Sequence, residues 1–448
     1  MNRGFLRGKQ LDTSITSVPL IDIPREGKIQ IPSESIVPDP DSIPTTFPND
    51  REGLLFVTLP PRDAVGPNEP VTECILRPSV KEKILAIPGF PHPFSPPDPP
   101  RYQIKPIPGA GLGMVATVDI DVGEDIAIER PLTVTTQAIP GVATVPCLHP
   151  REFYRVLLER LDEKSYEELF ALHNCKGNTR PEFMGIIDTN GIGIGTLPGY
   201  PAACAAVCKV ISRANHSCCS NAVWRFHVES FTVHLRAILP IKKGEEIFVS
   251  YGYKERTRAR RQKYLLERYK FRCTCFACAS NTIDRDQARM MAVIATHPKK
   301  CEDDSTLRSW VTDRTKADDL IIAEARVMIN IMEDEKFCYS SLWPVWYQRI
   351  VKAYCALEDE ENARKWAQKA AKLARAWALH DGGWDAVAKN PRMTDWWGLR
   401  ANTRSGIRMV GDLDDLNVRR DLLNTNRAGP GALEHIATSM KAKYPGLG

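Results

Sequence analysis

The chain has 448 residues, of which 43% are hydrophobic and 26% charged, and its formal net charge is +5. This length exceeds one ordinary hydrophobic core and predicts two or three domains of a globular protein. The small net charge gives no reason to expect direct nucleic-acid binding. No apolar run is long enough for a transmembrane helix, and the first residues lack a signal-peptide core, so we expect no membrane association and a reducing compartment. There, the 13 cysteines are expected to be metal ligands or free thiols, not disulfides.

The N-terminal part of the chain is rich in proline. Nineteen of the 34 prolines fall within the first hundred residues, and proline cannot continue a helix or a central strand. We therefore expect residues 1–98 to be a mostly extended N-terminal extension, in which Leu54, Leu55, Phe56 and Val57 could add an edge strand.

From Tyr102 onward the sequence predicts short strands between glycine turns. One pattern occurs twice, first as Ala116, Ile120, Gly123 and Glu124 and then as Ala237, Ile241, Gly244 and Glu245. In each copy an alternating apolar strand follows the glycine, which favours two small hairpins with one buried face. Such hairpins about 120 residues apart indicate small sheets packed together. The insertion between them, at about 150–180, has the apolar spacing of helices.

The rest of the chain is predicted to be helical over residues 281–400. Within residues 344–377, Tyr354, Ala363 and Ala370 have the spacing of an aromatic and two small residues in a tetratricopeptide-like helix pair. Residues 401–448 form a weakly patterned C-terminal segment. The fold class is therefore α+β, with small packed sheets and a helical insertion followed by an α-helical, tetratricopeptide-like domain.

Three closely spaced cysteines predict a metal site. Cys273, Cys275 and Cys278 lie within six residues, which lets one loop provide three thiolates to a tetrahedral Zn²⁺ and requires a fourth ligand from elsewhere. Cys218 is the first candidate and Cys219 the neighbouring rival; Cys204 and Cys208 are weaker candidates. Buried free cysteines are the alternative. A site with four thiolates has no open position, so this zinc would be structural.

Together these segments resemble a SET domain of the SMYD subfamily. The resemblance rests on residues 109–116 (GAGLGMVA), 213–221 (RANHSCCSN), 244–251 (GEEIFVSY) and 271–278 (FRCTCFAC), which occur in the family's order. It implies a SET domain over residues 99–256 and a post-SET zinc loop over 257–280. Two features depart from the family: Ser220 replaces a proline, and residues 131–185 contain only Cys147 and Cys175, so we expect no MYND zinc finger.

The resemblance also implies roles for individual residues. Tyr251 would be the catalytic tyrosine, with Tyr253 as its rival. S-adenosylmethionine would be bound by the backbone of the glycine turn at Ala110, Gly111 and Leu112. The Asn-His pair (Asn215 and His216) and Tyr251 would also contact it, and the ring of Phe271 would stack on adenine. Pro108 and Ala110 stand where SMYD proteins have larger polar residues. Phe271 could instead pack in the zinc-loop core, and Asn190 is a weaker candidate for the substrate channel.

The implied activity is protein-lysine methylation by an S-adenosylmethionine-dependent enzyme. Its partner would be a protein substrate with a target lysine, for which a histone is one candidate, and we expect a monomer in the nucleus, the cytoplasm or both. A catalytically weak adaptor acting through the helical domain is the second interpretation, and a zinc-dependent nucleic-acid binder is the third. Residues 254–272 contain nine basic and two acidic residues, a pattern more typical of a solvated helix face than of an import signal.

Overall fold

The computed structural model of the protein describes residues 55–136, 150–252, 257–279, 304–336 and 343–402. The chain divides into two compact units, one holding the described residues between 55 and 279 and the other most of those between 304 and 402. None of the described helices has both the length and the apolar character needed to cross a membrane. Predictions that concern residues 1–54, Cys147, Tyr253 and the segment after Asn402 lie outside the described residues.

The first unit combines short strands with short helices. Its strands are β1 (Leu55–Leu59), β2 (Thr72–Leu76), β3 (Tyr102–Ile107), β4 (Gly111–Ala116), β5 (Asp125–Glu129), β6 (Thr133–Thr136), β7 (Ile192–Leu197), β8 (Tyr200–Val207), β9 (Asn215–His216), β10 (Ala222–His227), β11 (Thr232–Ala237) and β12 (Phe248–Val249). Its helices are α1 (Pro78–Leu85), α2 (Pro150–Glu159), α3 (Glu163–Phe170), α4 (Glu182–Asn190), α5 (Arg258–Tyr269) and α6 (Phe276–Ala279).

The strands form four small sheets. The largest has the order β1-β2-β6-β8-β7, and the others are β10-β11-β5, β3-β4 and β12-β9. Strand β2 is buried along its whole length, because it lies inside the largest sheet between β1 and β6. The alanine and cysteine side chains of β8 are small, which allows other layers to pack closely on this strand.

The N-terminal boundary differs from the expectation of an extended leader reaching residue 98. Strand β1 is indeed an edge strand, but β2 and helix α1 belong to the globular core. Leu59, Cys74 and Ile84 are fully buried in the same hydrophobic cluster as Val134 of β6. The prolines of this region are compatible with regular structure. Pro78 occupies the first turn of α1, where its missing N–H has no helical partner to lose.

The two copies of the repeated sequence pattern pack against each other. Ile120 and Ile241, at equivalent positions, exchange backbone hydrogen bonds of 2.8 and 2.9 Å. Gly123 N–H donates to the Ala237 carbonyl at 2.8 Å, and Gly244 N–H donates to the Ala116 carbonyl at 2.9 Å. The contacts are therefore reciprocal, as a local two-fold relationship requires. This junction fixes strand β4 against the segment that leads into β12 and so supports the functional site.

The inserted helices form a second hydrophobic cluster beside the largest sheet. Tyr154 and Leu157 of α2, Leu169 of α3 and Ile186 of α4 pack together with Ile75 of β2. Asp162 caps α3, because its side chain accepts the Ser165 N–H at 2.7 Å. The helical insertion is thus anchored to the sheet by its apolar faces.

The second unit is helical within its described residues. Its helices are α7 (Ser305–Thr312), α8 (Leu320–Asp334), α9 (Trp343–Ala356), α10 (Glu360–Ala378) and α11 (Trp384–Lys389). Every residue of α9 is buried, so this helix is enclosed by its neighbours. Tyr354, Ala363 and Ala370 are buried, while the tetratricopeptide assignment stays a prediction. The α+β class with small sheets and a helical C-terminal region is confirmed.

Candidate functional site

Two distant segments meet in the short parallel pair β9-β12. Asn215 lies opposite Phe248 and His216 opposite Val249, and Ser217 N–H donates to the Val249 carbonyl at 3.0 Å. This register places Tyr251, two residues beyond β12, beside the Asn-His pair. The sequence motif before Cys218 and the motif that ends at Tyr251 therefore form one site.

His216 connects the tyrosine to the cysteine cluster. Its Nδ1 accepts the backbone N–H of Tyr251 at 2.9 Å, so the ring proton of the neutral imidazole is on Nε2. That nitrogen lies 3.3 Å from the sulfur of Cys218 and donates to it. One ring thus fixes the backbone of Tyr251 and the side chain of Cys218 at the same time.

The ring of Tyr251 is surrounded by aromatic side chains. Its hydroxyl donates to the Ala214 carbonyl at 2.8 Å. Its ring centroid is 4.9 Å from that of Tyr269 and 6.4 Å from that of Phe271, the latter edge to face. His216 is also 6.0 Å from Phe271. These contacts restrict the tyrosine to one orientation and assemble an aromatic wall from β9, the residues after β12 and the end of α5.

Four cysteine sulfurs form a compact cluster behind this wall. Those of Cys218, Cys273, Cys275 and Cys278 all lie within 4.8 Å of one another, and the pair formed by Cys218 and Cys278 is 3.6 Å apart. Sulfurs at the corners of a tetrahedron around Zn²⁺ are about 3.8 Å apart, given a Zn–S bond of about 2.3 Å. The spacing of the cluster therefore fits zinc, and three of its four members are buried.

Hydrogen bonds among the thiols lower the pKa of some of them and raise the pKa of others. The bond with Cys218 lowers the pKa of Cys278 to about 6, and bonds with its neighbours also lower the pKa of Cys275. The pKa of Cys218 is raised instead, mainly by its bond with Cys273. The pKa of Cys273 is also raised, so the protons are held unevenly among the four sulfurs, and a bound metal would require all four to be thiolates.

A buried arginine of α5 adjoins the cluster. Arg261 Nη2 donates to the Ala277 carbonyl at 3.2 Å and lies 3.8 Å from the sulfur of Cys278. Arg258 donates to the Cys278 carbonyl at 2.7 Å. Their positive charges favour thiolates in a buried setting. In the sequence these arginines appear only as part of a basic run. The fold of α5 shows which of them face the cysteine cluster.

The glycine turn that joins β3 to β4 borders the site on the other side. Gly109 and Gly111 both have φ in the left-handed region, and a Cβ built on either would meet nothing within 4 Å. Leu112 is 46% exposed. The turn thus faces open space beside Asn215, whose side-chain amide donates to the Leu112 carbonyl at 3.3 Å. Ala110, Gly111 and Leu112 could offer backbone groups to a ligand there.

Glu246 and Asn221 were not identified from the sequence as parts of this site. The carboxylate of Glu246 accepts from Asn215 Nδ2 at 2.8 Å. Asn221 donates to the Glu246 carbonyl at 2.9 Å and accepts the Phe248 N–H at 2.7 Å. Both residues lie within the sequence motifs named above, but the contact of Glu246 with Asn215 and that of Asn221 with Glu246 become evident only from the fold.

Some weaker candidates have other positions. Asn190 is buried and donates to the His173 and Ile186 carbonyls, each at 2.7 Å, so its amide hydrogens hold the end of α4. Cys204 and Cys208 are buried in the hydrophobic core and are not among the four clustered sulfurs. Cys219 lies near Cys275 but is not one of the four clustered sulfurs.

Comparisons with known proteins identify the type of domain that holds this site. Residues 111–252 match the family model described as "SET domain", which confirms the predicted domain type. The chain is 31% identical to histone-lysine N-methyltransferase set5 of Schizosaccharomyces pombe, over 40% of this chain and 50% of that protein. It is 31% identical to protein-lysine N-trimethyltransferase SMYD5 of Mus musculus, over 29% of this chain and 41% of that protein.

A third relative extends the SMYD likeness. The chain is 30% identical to N-lysine methyltransferase SMYD2 of Bos taurus, over 37% of this chain and 33% of that protein. The chain therefore spans half or less of the length of each of these three relatives. The predicted similarity to SMYD proteins is confirmed over the aligned part.

Proposed function

We propose that this chain, in which residues 111–252 form a SET domain, is an S-adenosylmethionine-dependent protein-lysine N-methyltransferase. One observation carries the proposal: His216 contacts both Tyr251 and Cys218, with hydrogen-bond distances of 2.9 and 3.3 Å. This residue thus links its own motif to the strand that ends at Tyr251, and its ring lies 6.0 Å from that of Phe271 in the cysteine-rich motif. The relatives named above are methyltransferases of lysine side chains.

The residues around the glycine turn fit the proposed cofactor. The turn at Gly109 and Gly111 is open on the side where a Cβ would point, so a ligand can approach its backbone closely. Phe271 offers a ring for adenine, and Asn215 offers an amide oxygen for the amino-acid end. When bound, S-adenosylmethionine supplies an electrophilic methyl group on a sulfonium sulfur.

Tyr251 is the residue that we assign to the target amine. Free lysine has a pKa of about 10.4, and an aromatic channel lowers it because burial disfavours the ammonium form. The phenol of Tyr251 gives its hydrogen to the Ala214 carbonyl at 2.8 Å, so its oxygen presents lone pairs to an amine N–H. We expect it to align the nitrogen for in-line displacement, a positioning effect.

The four clustered cysteines would hold one structural zinc ion. Zinc there would join the loop after α5 to the segment after β9, and so fix Phe271 relative to His216 and Tyr251. With four thiolates no position is left for substrate, so the metal would shape the site without taking part in the displacement.

The substrate would be a protein with an accessible lysine. Of the relatives, set5 is named a histone-lysine methyltransferase, whereas SMYD5 and SMYD2 are named for protein lysine without a histone. We propose a protein substrate and keep a histone as one candidate, with the chain acting in the nucleus, the cytoplasm or both.

Transfer of a labelled methyl group to a panel of histones and other proteins tests the proposal. The full chain should label at least one protein on lysine, and Tyr251→Phe should reduce the labelling strongly while its S-adenosylmethionine binding persists. No labelling by a chain that binds the cofactor tightly would favour the adaptor. A chain that binds no cofactor would contradict both interpretations.

A further inference from the structure

The side-chain amide of Asn215 has a fixed orientation. Its Nδ2 donates to Glu246 Oε1 at 2.8 Å and to the Leu112 carbonyl at 3.3 Å. A carboxylate and a carbonyl only accept hydrogen bonds, so the NH₂ end of the amide must face them. If the amide were turned over, its oxygen would face the Glu246 carboxylate and the Leu112 carbonyl, and both of these are also acceptors. The two contacts therefore determine which atom Asn215 presents to a ligand.

That atom is Oδ1. Both hydrogens of the amide are used, and within residues 55–136, 150–252 and 257–279 no donor is bonded to Asn215 Oδ1. Asn215 is half-buried at the open side of the glycine turn. An amide oxygen accepts from an ammonium group and cannot donate to a carboxylate. Asn215 is thus set to select the amine of an amino-acid group over its acid.

Glu246 is itself held in place by backbone contacts. It forms an isolated antiparallel bridge with Val115 of β4, and the following residue, Ile247, donates its N–H to the Met114 carbonyl at 2.8 Å. The carboxylate is half-buried, and burial raises its pKa. Glu246 therefore stands between the glycine turn and the strand that leads to Tyr251.

Gly113 is the residue that leaves room for this pair. A Cβ at position 113 would lie 2.6 Å from Glu246 Oε1 and 2.7 Å from Asn215 Nδ2. These distances are shorter than a carbon can approach either atom without displacement. Any side chain there would push apart the two groups that form the hydrogen bond.

We propose that Glu246 is a positioning residue that orients Asn215 toward the ammonium group of the methionyl part of the cofactor. The inference rests on the proposed function, because it specifies how the same site recognises S-adenosylmethionine. The carboxylate also brings a negative charge near that ammonium group, which favours a cationic amine further. Glu246 acts through Asn215 and is not assigned to the methyl transfer itself.

Calorimetric titration with two ligands tests the proposal. S-adenosylhomocysteine carries the amino-acid end, whereas 5′-methylthioadenosine lacks it and keeps the adenosine part. Glu246→Ala in the full zinc-loaded chain should weaken binding of S-adenosylhomocysteine by about tenfold, as expected for loss of a charge-assisted contact. Binding of 5′-methylthioadenosine should change by less than about twofold. Glu245→Ala, at the exposed neighbouring carboxylate, is the matched control and should change neither.

The pattern across ligands separates positioning from a general structural role. Equal weakening of both ligands by Glu246→Ala, or no change in either, would overturn the proposal. Glu246→Gln retains an oxygen that can accept from Asn215 and should give an intermediate, equally selective loss, even if the alanine variant is unstable. If neither ligand binds the unaltered chain, the proposed function itself fails, which is a distinct result.

Discussion

The sulfur atoms of Cys218 and Cys278 lie 3.6 Å apart although 60 residues separate them in the chain. Cys218 follows the Asn-His pair, and Cys278 closes the loop that begins after Phe271. A zinc ion at this point would make the cofactor site depend on the metal, because the two walls of the site are joined there.

Cys275→Ser should therefore release zinc and weaken S-adenosylmethionine binding together, by at least about tenfold. Metal content by mass spectrometry and cofactor affinity by calorimetry measure the two effects. Cys355→Ala, a buried cysteine of the helical unit, is the control and should retain both. Zinc loss with unchanged cofactor affinity would show that the metal and the pocket are independent.

Arg261→Met should lower zinc retention without removing a ligand. Arg261 is buried and lies 3.8 Å from the sulfur of Cys278, so its charge offsets that of the thiolates. We expect zinc transfer to a chelating dye to occur at about tenfold lower chelator concentration. Arg260→Met changes an exposed neighbour on the same helix and should behave like the unaltered chain. Equal zinc retention in both variants would argue against this role.

Tyr251→Phe should separate chemistry from cofactor binding. The change removes the hydroxyl that donates to Ala214 at 2.8 Å but keeps the ring that packs on Tyr269 and Phe271. We expect the methyl-transfer rate to fall about a hundredfold or more, while cofactor affinity changes less than about threefold. Single-turnover rates and calorimetry give the two values. A full rate in this variant would exclude Tyr251 as the catalytic tyrosine.

Glu129 should make stability depend on pH. Its buried carboxyl accepts the N–H groups of Val210 and Ile211 at 3.1 and 2.6 Å, and burial raises its pKa from the ordinary 4.5 to about 7. As pH rises, the unfolded chain loses this proton first, so stability should decrease between about pH 4.5 and 7. The free energy of unfolding should decrease by up to about 3 kcal/mol.

The matched variant for this effect is Glu129→Gln, which keeps an acceptor oxygen and cannot titrate. Denaturant unfolding at pH 5 and pH 8 should show a smaller loss of stability in the variant than in the unaltered chain. Parallel losses in the two proteins would assign the pH dependence to other groups.

The sequence was sufficient for motifs that depend on local spacing. The three cysteines after α5, the Asn-His pair and the strand before Tyr251 could be recognised from adjacent residues, and the repeat around Ile120 and Ile241 was visible as a pattern. The pairing of these two isoleucines with each other could not be predicted, because a repeat does not specify how its copies pack together. Likewise, the contribution of Glu246 depends on a contact with Asn215 across 31 residues.

The N-terminal boundary of the first unit could not be predicted from local composition. Proline content predicted an extended segment to residue 98, yet β2 and α1 are buried within the first unit. Local composition indicates where regular structure is interrupted, but burial depends on the partner strands. Strand β2 gains its parallel partner from β6, about 60 residues later.

Calorimetric titration of the purified, zinc-loaded chain with S-adenosylmethionine, repeated after removal of zinc by chelation, tests the central claim most directly. We predict one site per chain with micromolar or tighter affinity, lost when zinc is removed and restored when it is returned. A properly folded, zinc-containing chain that gives no binding would contradict the account.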